Sequence, residues 1–105
     1  MDYTNARVTL IVDGMGKPLR ETVLENQSVR ITPRRVGTVM SADGHQSGYV
    51  ADPQEVFWRG ADRARLDDAT DMRVQTSAGV LLAEGSINTL RSPRTVAGGI
   101  EVDLG

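Results

Sequence analysis

Asp67-Asp68-Ala69-Thr70-Asp71 sets three carboxylates within five residues, the paired-aspartate pattern with which some enzymes hold magnesium and a diphosphate. Such a site needs several convergent oxygens, and magnesium usually borrows substrate phosphates to complete its octahedron. A five-residue match without a large helical cavity around it reads as a solvated charged loop. Gly44-His45-Gln46-Ser47-Gly48 places an imidazole beside a hydroxyl, with Asp43 adjacent. Nucleophilic catalysis requires those groups at hydrogen-bond distance on a rigid scaffold near an oxyanion hole, which neighbouring residues in a Gly-rich loop do not supply. Gly14 and Gly16 begin like a phosphate loop, but no GK[ST] or G-x-G-x-x-G follows, so the stretch reads as a hairpin turn. Asn26-Gln27-Ser28 fits a glycosylation acceptor. The N-terminal residues lack a basic segment and apolar run, so the triplet is expected to be a coincidence or a turn, in a chain that stays in the cytoplasm or in a particle assembled there.

Composition narrows the chemistry further. There is no cysteine, which excludes disulfides, thiolate metal sites and cysteine nucleophiles, and His45 is the single histidine. No catalytic residue, metal ligand set or cofactor site is expected, and no run approaches the ~20 apolar residues of a membrane span. The formal net charge of −2 gives the whole molecule no general attraction to phosphate backbones. Eleven of twelve basic residues are arginine. Arg30, Arg34 and Arg35 form the one basic cluster, read as a protein-contact patch in preference to a nucleic-acid site because no aromatics interleave with it.

The elements that must position these groups are strands. Val8, Leu10 and Val12 alternate along residues 7–12, which puts them on one face of a strand. Residues 13–18 then turn, and residues 19–24 and 28–32 predict two further short strands, the second ended by Pro33. Residues 34–48 carry three glycines and little periodicity. They predict a long loop, about residues 35–49, of the kind that is usually functional. Residues 49–51 are expected to re-enter the sheet. Residues 55–59 (Glu-Val-Phe-Trp-Arg) read as a strand, residues 61–71 as a charged loop or one short helical turn, and residues 72–83 as a hairpin. Ile100, Val102 and Leu104 close the chain. The expectation is one all-β domain over residues 1–105, a small β-barrel or sandwich of about 6–7 short strands with one long projecting loop.

Several stretches together resemble the head-to-tail stopper, or head-closure, proteins of siphophages. They are Asp13-Gly14-Met15-Gly16-Lys17-Pro18, then Val29-Arg30-Ile31-Thr32-Pro33-Arg34-Arg35, then Gly60-Ala61-Asp62-Arg63 with Asp71-Met72-Arg73-Val74. The ending matches most specifically, with Arg91-Ser92-Pro93-Arg94-Thr95 followed by Gly98-Gly99-Ile100-Glu101-Val102-Asp103-Leu104. This chain departs from the family in having Leu90-Arg91 where many members carry an aromatic before Ser-Pro.

The resemblance implies a virion structural protein of the neck, assembled in the host cytoplasm. Copies, as a hexamer or dodecamer, would ring the channel below the portal and adaptor, retain packaged DNA, and receive the tail and its terminator. It implies that the loop at residues 35–49 projects toward the channel, with Arg34, Arg35, Val39, Met40, His45 and Tyr49 as candidate channel or partner contacts. It implies neither enzyme activity nor cofactor. The alternatives are another phage structural subunit, such as a tail terminator or capsid-decoration protein, and a non-viral β-barrel binding module. With only four aromatics, Tyr3, Tyr49, Phe57 and Trp58, the chain is poorly supplied for an aromatic binding platform.

Overall fold

The computed structural model describes residues 1–33, 38–40, 46–49 and 54–105. The chain runs β1 (Asp2–Gly14), β2 (Lys17–Pro33), β3 (Thr38–Met40), β4 (Gln46–Tyr49), β5 (Gln54–Arg59), α1 (Arg63–Leu66), β6 (Asp71–Gln75), β7 (Leu81–Ser86), β8 (Arg94–Val96) and β9 (Gly99–Leu104). Seven strands form one antiparallel sheet in the order β7-β6-β1-β2-β5-β9-β8, while β3 and β4 pair with each other in a separate two-stranded sheet.

The two short strands expected over residues 19–24 and 28–32 are one strand of 17 residues. A phase change in the apolar pattern explains why they look separate. Leu24 packs against the core from an even position and Val29 and Ile31 from odd ones, so alternation breaks between them. The break is absorbed by bulges in which Asn26 (φ 58) on β2 and Asn5 (φ 54) on β1 take left-handed backbone, a conformation asparagine tolerates better than most residues. The extra residue returns Val29 and Ile31 to the face already occupied by Val8 and Leu10.

That face is the core. Trp58, Met72, Ile100, Val8, Val56, Val74 and Val102 are its largest fully buried side chains, each contributing about 1.5–3 kcal/mol by leaving water. Trp58 stands between its strand partners Val29 and Ile100. Its indole N–H donates to Gln27 Oε1 at 2.9 Å, and Gln27 Nε2 donates to the Glu25 carbonyl at 2.8 Å, so the bulge is tied to the middle of the core. The pairing of β5 with β9 is close at its end: a Cβ on Gly99 would lie 2.2 Å from the Trp58 carbonyl oxygen.

The sheet curls until β9 meets the end of β7. Ile87 bridges to Leu104, Gly105 N–H donates to the Ser86 carbonyl at 2.8 Å, and Asn88 N–H donates to the Asp103 carbonyl at 2.8 Å. No continuous ladder joins these strands, so the barrel form of the expectation gives way to a curled, sandwich-like sheet. The all-β class and the seven-stranded sheet agree with the sequence reading.

Four local features differ from that reading or sharpen it. Residues 34–48, read as an unstructured loop, contain β3 and most of β4, with Thr38 opposite Tyr49 and Met40 opposite Gln46. Tyr49, expected to rejoin the main sheet, belongs to this ribbon; residues 50–53 lie outside the described residues. Residues 63–66 do form the short helical turn, with the Asp62 side chain accepting from Arg65 N–H at 3.3 Å. The three-residue edge strand β8 escaped the sequence reading because Arg94, Thr95 and Val96 show no alternation.

Candidate interaction surfaces

The candidate motifs within the described residues are spent on structure, and Asp43, Gly44 and His45 of the His-Ser stretch lie outside them. Arg20 pairs with Asp68 and lies 3.7 Å from Asp67, so the aspartate run pins the segment after α1 against β2. Thr70, in the same run, donates its N–H to the Ile11 carbonyl at 2.8 Å, and its hydroxyl accepts from Asp13 N–H at 2.8 Å. The glycine stretch is a two-residue hairpin turn: Gly14 pairs with Lys17, and Met15 (φ 56) and Gly16 (φ 80) both take left-handed backbone, the type I′ pattern that matches strand twist. Asn26 of the glycosylation triplet is the bulge residue. Ser92 anchors the Ser-Pro turn, donating to the Asn88 carbonyl at 2.7 Å and accepting from Asp103 N–H at 3.0 Å. Among the described residues, no three His, Cys, Asp or Glu side chains converge to hold a metal, and no helix is long and apolar enough to cross a membrane.

Of the six candidate contact residues, Arg34, Arg35 and His45 lie outside the described residues. Val39 and Met40 fall in β3 and Tyr49 in β4. The ribbon that carries these three is inserted where β2 and β5 are already paired, Pro33 opposite Gln54. Arg30, the third member of the predicted basic cluster, is committed within the chain: its Nε lies 2.7 Å from Asp2 Oδ1, and this bond holds the Asp2 carboxyl below the usual carboxylate range.

Three surfaces stand out among the described residues. The first is a cleft of ≈ 290 Å³ on the concave face, floored by Leu10, Val12 and Leu24 and walled by residues 64–67 and 69. Arg20 and Thr22 form its rim. The second is the outer face of β2, β5, β9 and β8, where a shallow hollow of ≈ 540 Å³ is lined by Arg30, Thr32, Glu55, Phe57, Arg59 and Glu101, among others. Charges of both signs interleave there. Arg94 pairs with Glu101 and lies 3.9 Å from Glu55, and the Arg59 guanidinium sits 5.6 Å from the Phe57 ring centroid. Partial burial raises the Glu55 carboxyl above its ordinary range, and the nearby charges of Glu101 and Asp103 add to the effect against the pull of Arg94.

The third surface is the hairpin formed by the distal parts of β1 and β2. Residues 15–23 are all exposed, among them Met15, Leu19 and Val23. β5 covers β2 only at residues 29–33, so among the described residues the stretch 17–25 of β2 has a strand neighbour on the β1 side alone. This open edge was not anticipated. Pairing length is a non-local property, and the one signal available was the run of charged positions Lys17, Arg20, Glu21 and Glu25 around few apolar residues.

Comparison with models of known protein families, with curated proteins and with solved structures gave no match.

Proposed function

We propose that this chain is a structural subunit of a phage head–tail connector, forming a ring below the portal and adaptor that closes the channel, retains packaged DNA and receives the tail. The observation that carries the reading is the β3–β4 ribbon. It occupies the residues that the resemblance assigns to the channel loop, and it is excluded from the main sheet. It is inserted at a point where β2 and β5 are already held together, so the body has no need of it for pairing. An insertion of this kind is free to serve a partner or a channel. Mixed-sign, strand-rich outer faces and exposed apolar side chains suit a protein that works by contact. In this reading, ribbons from several copies converge on the axis and move when the tail signals, a steric mechanism with no bond chemistry.

The test is removal of residues 37–48, joined by a short turn, in the particle that the gene serves. Because Pro33 and Gln54 are paired, the shortened chain is expected to fold with its main sheet intact, giving an all-β far-UV circular dichroism spectrum that lacks only the ribbon's contribution. Electron microscopy of the particles is expected to show emptied heads. DNA-filled heads carrying tails would overturn the connector role.

A further inference from the structure

The direction of backbone groups along the hairpin singles out one stretch of the β2 edge. The Ile11 carbonyl accepts from Thr70 N–H and Asp13 N–H donates to Thr70 Oγ1, so the odd-numbered residues of this part of β1 turn their polar groups toward the β6 side. Leu10 and its even-numbered neighbours therefore bond to β2. In the register Leu10↔Thr22, Ile11↔Glu21 and Thr9↔Val23, antiparallel geometry leaves the N–H and C=O of Glu21 and Val23 pointing away from β1. No backbone hydrogen bond to them exists among the described residues. Both ends of the open stretch are blunted. Pro18 has no N–H to offer, a register shift falls at the Pro18 end, and Gln27 already occupies the Glu25 carbonyl.

We propose that this edge is a self-pairing interface, joining two copies of the chain antiparallel about a two-fold axis at Thr22. The edge itself selects that register. Centring on Glu21 would set two Glu21 carboxylates opposite each other, and centring on Val23 would set Glu21 opposite Glu25 twice, both destabilising cross-strand pairs. Centring on Thr22 sets Glu21 opposite Val23 of the second copy, Arg20 opposite Leu24 and Thr22 opposite Thr22, with no like charges facing. The Glu21 and Val23 pairs then exchange four backbone hydrogen bonds, and the two sheets become one. An isologous contact of this kind is the commonest way for identical chains to associate. It is independent of the connector role.

The chain contains no cysteine, which makes the test specific. Thr22 would form a non-hydrogen-bonded pair with its mate, with Cα atoms about 4.5 Å apart, inside the span that a disulfide accepts. With a mild thiol oxidant, the T22C chain is expected to form a covalent dimer about tenfold faster than a V80C control at another exposed site, because the thiols are held together. Sedimentation of the unmodified chain should show mass rising toward twice the monomer with concentration. V23P removes an outward N–H while leaving the β1 ladder intact, and it should abolish that rise and bring T22C oxidation down to the control rate. Equal oxidation of T22C and V80C, or a dimer that survives V23P, would overturn the proposal.

Discussion

Strand β2 passes through two environments. Over residues 17–23 every side chain is exposed and one edge is open, whereas Val29 and Ile31, on the same strand, are buried at 3% and 6% exposure between β1 and β5. The division comes at the Asn26 bulge. On one side the strand is held by core packing around Trp58. On the other it is held by its ladder to β1, a two-residue turn and the Arg20 ion pairs with the turn after α1. Exposed ion pairs contribute little, a median of about 0–1 kcal/mol. The buried part of the strand therefore carries stability, and the exposed part is left free to make contacts.

Substitutions separate the two environments. The largest effect is expected from Trp58→Ala, which empties the centre of the core and leaves Gln27 without its indole partner; truncations of this kind cost about 3–5 kcal/mol. Urea denaturation should show the loss as a lower midpoint, and a shift under about 1 kcal/mol would mean that the core is not centred on this residue. An intermediate effect lies on the outer face at Glu55. Its carboxyl titrates above the usual range in the folded chain, so the folded state favours the protonated form. Wild-type stability should therefore fall as pH rises through the raised folded value. Glu55→Gln should lack that fall and so be the more stable chain at neutral pH, with the difference shrinking in acid. Parallel pH profiles for the two proteins would contradict the assignment. The smallest effect belongs to the hairpin turn. Met15→Asn places Asn-Gly in a type I′ turn and should raise stability by about 0.5 kcal/mol, read as a small increase in thermal midpoint with the core unchanged.

Much of this architecture could be read from side-chain alternation. Val8 and Leu10, Val29 and Ile31, Val56 and Trp58, Met72 and Val74, and Ile100, Val102 and Leu104 each mark a strand face turned to the core, and all are core residues. That Thr9, Ile11 and Asp103 are buried on the opposite face of β1 and β9 did not show in the alternation. The hairpin turn was legible in Gly14 and Gly16, though not its type, and residues 61–71 were legible as a charged loop or one short helical turn, without the place of the turn. The ribbon was not legible, because β3 and β4 are three and four residues long and lie in a Gly-rich stretch without alternation. β8 was missed for the same reason. Of the candidate site, the sequence marked the segment of residues 35–49 but not the open edge of β2.

The sequence by itself determined which alternating side chains turn toward the core, where the chain turns, and that sulfur and multi-histidine chemistry are excluded. Those properties reside in single side chains and their immediate spacing. Tertiary structure decided that β1 lies between β6 and β2, that two apparent strands join through a bulge, that the sheet curls without closing, and that β5 stops short of residues 17–25. Each of these depends on pairing between segments distant in the chain, where register and pairing length are set by the fit of whole strands against one another.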